Sequence, residues 1–160
     1  MGGRVVRHRT TARVLPVNAA GEVLLLHGWD PAVPETTYWF SIGGGVDDPA
    51  EPLTAAAARE MREETGLHVE PDDLLGPVGH EVAEFDWGFW HLVQDQTYFA
   101  VRLDDIDGLH FRGLEPLERG TIDQAAWWTP DALDLDGTAA NDQLTTMMRA
   151  AVQQILGDLV

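Results

Sequence analysis

Cysteine is absent from the 160-residue chain, and cations are scarce: 10 Lys+Arg stand against 27 Asp+Glu, a formal net charge of −17. Without cysteine there is no disulfide, no thiolate metal site and no cysteine nucleophile. The charge sets the chain against polyanions, so neither a nucleic acid polymer nor an anionic membrane is an expected partner. Long apolar runs are missing too, and none approaches the roughly 20 residues that span a bilayer. The basic start, Met1 to Arg9, holds no apolar segment of signal-peptide length. Val6 stands where an N-terminal lipidation signal wants Ser or Thr. The expectation is a protein of the cytoplasm.

What is present is enough to build a core. Apolar residues make up 44% of the chain, which argues against disorder despite the charge. The length predicts one domain over residues 1–160. Thr11–Pro16 and Glu22–His27, joined by Asn18-Ala19-Ala20-Gly21, read as a β-hairpin. Gly28–Thr37 reads as a loop, and Tyr38–Ile42 as a short strand running into the turn Gly43-Gly44-Gly45. Leu53–Thr65 is made of strong helix formers. Pro52 opens this helix at its first position and Gly66 stops it. Leu75–Val82, Thr97–Leu103 and Ala125–Thr129 read as strands, with an aromatic loop from Phe85 to His91. Pro130–Leu133 begins a helical turn, and Asn141 caps a last helix running to Leu159. The fold class is mixed α/β.

The chemistry concentrates on the helix Leu53–Thr65. At 100° per residue, Glu63 and Glu64 fall on either side of Glu60 and share its face. Arg59 lies one turn before Glu63 and can pair with it. Clustered carboxylates repel one another, and hard divalent cations such as Mg²⁺ and Mn²⁺ offset that repulsion with oxygen coordination. On spacing alone, a solvated acidic face is an equally good reading. Three glycines directly before the helix tilt the balance, since they let backbone approach a ligand closely.

The stretch Gly45 to Leu67 resembles the Nudix box. It reads Gly45, then Glu51, then Arg59-Glu60-Met61-Arg62-Glu63-Glu64-Thr65-Gly66-Leu67, and every specified position of the box is matched. Two flanking features depart from the common pattern: Ile42 replaces a proline before the glycines, and the loop reads Asp47-Asp48-Pro49-Ala50-Glu51. The resemblance implies an α/β/α sandwich with a central mixed sheet. It implies hydrolysis of a nucleoside diphosphate linked to another moiety, X, with Mg²⁺ or Mn²⁺ as cofactor. By position, Glu60, Glu63, Glu64 and the Gly45 carbonyl would hold the metal. Glu51 and Arg59 would orient the glutamates through ion pairs.

A bound cation would also resolve the conflict between a −17 chain and an anionic substrate. The residue that takes a proton from the attacking water is open between Glu60, Glu64 and a carboxylate from a later segment. Glu118 is the first candidate there and Glu115 the second, with Asp95 the only carboxylate just before Tyr98. Trp29, Trp39, Phe85 and Trp87 are candidates for stacking on a base, against the alternative of core packing. Arg102, with Arg4, Arg7 and Arg9, is a candidate for distal phosphates. The six histidines show no paired metal spacing. A homodimer is compatible with all of this. The competing reading is a non-catalytic nucleotide-binding sensor domain. The isomerase branch acting on isopentenyl diphosphate needs a cysteine that this chain lacks.

Overall fold

A computed structural model describes residues 4–111 and 121–157. Seven strands and three α-helices follow one another in the order β1 (Val5–Val17), β2 (Val23–Trp29), β3 (Thr37–Phe40), β4 (Ile42–Gly45), α1 (Leu53–Thr65), β5 (Leu75–Trp87), β6 (Trp90–Arg102), β7 (Ile122–Trp128), α2 (Pro130–Asp136) and α3 (Leu144–Leu156). The sheet runs β3-β2-β1-β6-β5, with β4 paired to β1 and β7 to β2. β1 and β6 are parallel over their whole length, from Val5↔Trp90 to Val17↔Arg102. Every other pairing is antiparallel, so the sheet is mixed.

Alternation along the strands explains the layers. Side chains of a strand point to opposite faces in turn. Val14, Leu24 and Phe99 therefore join one core, and Leu15, Leu25 and Tyr98 the other. α1 covers the first face with Ala56, Ala57 and Met61. α2 and α3 cover the second with Leu133, Leu144, Met147 and Met148. With both faces buried, the central strands have no polar side, as in the run Val23–Leu26. The result is the expected α/β/α sandwich around a mixed sheet.

Two expectations about local structure change. The glycine triplet is not a turn: Gly43–Gly45 form most of β4, held in register against Thr11–Arg13. Backbone pairing with β1 supplies what side chains cannot. The aromatic stretch 85–91 is the tip of the long β5–β6 hairpin, with Trp87↔Trp90 as the last pair. The strands Leu75–Val82 and Thr97–Leu103 extend toward each other until only Gly88 and Phe89 connect them. At the C-terminus the last helix begins at Leu144, and Asn141 Oδ1 instead accepts from Gln143 N in the preceding turn. α1 matches its expected bounds, with Pro52 one position earlier as its N-cap. Gly66 ends it at φ 74°, a left-handed conformation that suits glycine, and its N–H donates to Arg62 O.

Candidate active site

α1 and β4 form the site together. The Asp47–Glu51 loop between them is folded by Asp48, whose Oδ1 accepts from Ala50 N and whose carbonyl accepts from Glu51 N. This turn delivers Glu51 to Arg59, which grips it with Nε at 3.0 Å and Nη2 at 2.9 Å. The same guanidinium donates to Glu60 Oε1 at 3.0 Å and Glu63 Oε2 at 3.3 Å. Its Nη2 also donates to the Gly45 carbonyl at 3.2 Å. The Arg59 pairing holds the Glu51 carboxyl below the usual carboxylate range.

Glu64 is treated differently. It is 3% exposed, and its Oε1 accepts from the Gly43 N–H at 2.6 Å. β4 thus has one N–H turned to α1 rather than to another strand. Glu60 packs on the neighbouring residue: a Cβ added at Gly44 would lie 2.3 Å from Glu60 Oε2. Only glycine leaves room for that carboxylate. The glycine triplet therefore works by close approach of helix side chains to strand backbone.

Among the described residues no three acidic or histidine side chains already converge as a ready-made metal cage. The hydrogen bonds give the reason, since Glu60 and Glu63 lean on Arg59 and Glu64 on Gly43. The donor set nonetheless suits a hard cation. All of its atoms are oxygens. One positive group, the Arg59 guanidinium, already touches Glu60, Glu63 and Gly45 O at once.

The site opens into a cleft of about 1200 Å³. Glu60, Glu63, Glu64 and Gly43–Gly45 line it, together with the aromatic side chains Trp29, Tyr38, Phe85, Trp87 and Trp90. Asp30 ties two of the aromatic segments together, because its Oδ1 accepts from both Ala32 N and Gly88 N at 2.8 Å. That clamp joins the end of β2 to the β5–β6 tip. Trp87 and Trp90 stack with ring centroids 6.3 Å apart. Burial, with the Asp30 charge adding to it, pushes the Tyr38 phenol up to about 12. It stays a neutral hydroxyl over the physiological range.

The structure brings together Gly45, Glu51, Arg59, Glu60, Glu63 and Glu64, and it places Trp29, Phe85 and Trp87 in the same cleft. Trp39 and Arg102 lie elsewhere. Trp39 is 8% exposed and packs between His27 and Trp128 beneath α2 and α3. Arg102, at the far end of β6, pairs with Asp104. Asp95 pairs with His80 on the exposed surface. Glu115 and Glu118 lie outside the described residues. Sequence reasoning passed over Arg13, Tyr38 and Glu81, which also line the cleft. Arg13 carried a signal: it is a charged residue inside the otherwise apolar run Ala12–Val17.

A family model for the NUDIX domain matches residues 7–149. The chain belongs to the Nudix family. An RNA pyrophosphohydrolase of Bradyrhizobium diazoefficiens is 36% identical over 108 residues, covering 62% of this chain and 64% of that protein. The RNA pyrophosphohydrolase of Rhodopseudomonas palustris strain HaA2 is 34% identical over the same length. The chain thus spans just under two thirds of these curated relatives. Among solved structures, an Ap4A hydrolase from C. elegans in a binary complex superposes with a TM-score of 0.64 at 20% identity, covering 93% of this chain and 98% of that one. A MutT protein from Methanosarcina mazei Go1 gives 0.58 at 19% identity, covering 92% and 95%. At those identities the likeness concerns the fold. Among the described residues no helix is long and apolar enough to cross a membrane.

Proposed function

We propose that this protein hydrolyses the pyrophosphate linkage of a nucleotide-type small molecule, a nucleoside diphosphate joined to a further group. Glu60, Glu63, Glu64 and the Gly45 carbonyl would hold a divalent cation, Mg²⁺ or Mn²⁺. The observation that carries this reading is the Arg59 guanidinium, which bonds Gly45 O, Glu60 and Glu63 together. When bound, such a cation would lower the pKa of a coordinated water and neutralise charge on the phosphoryl oxygens.

The chain's own residues do the rest. Glu51 fixes Arg59 by two hydrogen bonds, so the guanidinium keeps its place when the glutamates turn to a cation. Gly43 N–H holds Glu64 by one carboxylate oxygen and so fixes its orientation toward β4. Trp29, Tyr38 and Trp87 in the same cleft offer flat apolar surfaces to a base.

The test is a panel of ADP-ribose, nucleotide sugars, dinucleoside polyphosphates and nucleoside triphosphates with Mg²⁺ or Mn²⁺, read by phosphate or nucleotide release. Glu63→Gln and Glu64→Gln should each lower turnover by orders of magnitude while the thermal unfolding curve keeps its shape. Full activity in both variants would dismiss the ligand assignment. Tight nucleotide binding with no turnover across the panel would make the domain a sensor.

A further inference from the structure

All of the chain's 10 cations are arginines, and Arg7, Arg9 and Arg13 enter the active-site cleft from one strand. Their spacing on β1 puts them on one face. Arg7 lies over the Trp90 ring, its Cζ 5.8 Å from the centroid. Arg9 and Arg13 lie against the glycine strand that serves the glutamates. A Cβ added at Gly45 would be 2.9 Å from Arg9 Nη2, and one at Gly43 would be 3.1 Å from Arg13 Nε. Gly44, between them, is the residue Glu60 packs on. β4 therefore presents Gly43 and Gly45 to arginines of β1 and Gly44 to Glu60.

Arg13 is the telling member. It is 9% exposed. Its Nε donates to Ser41 Oγ at 2.8 Å and its Nη2 to Ser41 O at 2.9 Å. Both acceptors are neutral. Among the described residues no carboxylate pairs with Arg13, although Glu81, Glu84 and Asp86 line the same cleft. Glu81 instead accepts from Tyr98 Oη and Gln96 Nε2. Withdrawing a guanidinium from water without a counter-charge is unfavourable. The chain is rich in carboxylates, and among the described residues Arg13 uses none of them. Ser41 holds the Nε–Nη2 edge of the group, and Nη1 has no partner among the described residues. A planar guanidinium held this way matches a phosphate.

Building on the proposed hydrolysis, we propose that the Arg7–Arg9–Arg13 row binds phosphate beyond the scissile anhydride, with Arg13 as the specificity-determining contact. The substrate class is then a nucleotide with at least three consecutive phosphates. Diphosphates whose second arm is a neutral sugar leave Arg13 without its counter-ion and are the poorer substrates.

The experiment has two arms. In the first, calorimetry with Mg²⁺ compares inorganic tripolyphosphate with pyrophosphate on wild type, Arg13→Gln and Arg7→Gln. Wild type should prefer tripolyphosphate by tenfold or more, and Arg13→Gln should remove most of that preference. In the second, kcat and KM are measured for a nucleoside triphosphate, a dinucleoside tetraphosphate and ADP-ribose. Arg13→Gln should lower kcat/KM for the two polyphosphates at least tenfold more than for ADP-ribose, mainly through KM, and Arg13→Lys should restore part of it. Equal losses on all three substrates, or a wild type that favours ADP-ribose, overturn the proposal and leave the hydrolase reading standing. Tripolyphosphate binding that depends on Arg13 with no turnover of any substrate leaves the arginine row standing and overturns the hydrolase. If Arg13→Gln does not fold, Arg7→Gln on the exposed part of β1 decides: an unchanged tripolyphosphate preference in it refutes the row.

Discussion

Replacing Gly44 by alanine separates the role of β4 as a strand from its role as a surface for Glu60. The new Cβ would start 2.3 Å from Glu60 Oε2 and 2.5 Å from Cδ, whereas ordinary contacts begin at 3.4 Å. The carboxylate must therefore retreat by about 1 Å, a displacement that costs on the order of 100-fold when it misplaces a reacting group. That is about 2.7 kcal/mol of transition-state stabilisation. Folding should barely notice. The group that yields is the far end of a flexible side chain, and Gly44 does not have positive φ. Alanine also restricts the unfolded chain, which offsets part of any strain by roughly 0.4–1 kcal/mol. Steady-state kinetics with a Mg²⁺ titration, paired with thermal unfolding, measures both effects. The expectation is kcat/KM down about 100-fold with Tm moved by less than about 4 °C. A cycle with Glu60→Asp should be non-additive, because both changes act through one carboxylate. Turnover and metal affinity within twofold of wild type would refute the argument. So would a collapse of Tm, which would show that the backbone rather than Glu60 had yielded.

Three further outcomes are expected. Arg59→Met removes the guanidinium shared by Glu51, Glu60 and Glu63 and should cost about 1–3 kcal/mol. Mg²⁺ should recover part of that loss in thermal unfolding, and an unchanged Tm without metal would contradict the hub. The Glu51 carboxyl is held below its ordinary value of 4.5 by its hydrogen bonds to Arg59. The unfolded chain therefore takes up the proton first, so this pair contributes fully above that value and is lost as pH falls below it. Comparing wild type with Glu51→Gln should show the stability gap closing on acidification, and a gap independent of pH would refute the linkage. Thr129 caps α2 by accepting from Ala132 N at 3.2 Å. Thr129→Ala should cost about 1 kcal/mol in a denaturant titration, with kcat untouched.

The geometry of the candidate site was legible in the sequence wherever it is local. α1, its glutamates, Arg59 and the Gly66 stop lie within one stretch, and helical periodicity carries them directly. Glu51 is separated from Arg59 by a turn that Asp48 closes, still a short-range device. What depends on strand pairing was not legible. Gly43–Gly45 read as a turn because glycine has low strand propensity, and only their register with β1 makes them a strand. Trp39 and Trp87 look alike in sequence, but alternation about the sheet sends Trp39 into the α2–α3 core. Trp87 is carried into the cleft by the β5–β6 hairpin. Arg13 was hidden for the same reason: its neighbours Ala12 and Val14 belong to the opposite face.

The parallel β1–β6 ladder runs the full length of both strands, from Val5↔Trp90 to Val17↔Arg102. Each of its pairs closes a long intervening loop, so the entropy of closure is lost before the contact returns anything. During synthesis, β1 has only its shorter pairings with β2 and β4 available until β6 has left the ribosome. A chain cut short after α1 would lack β5, β6 and β7, and with β6 the longest partner of β1.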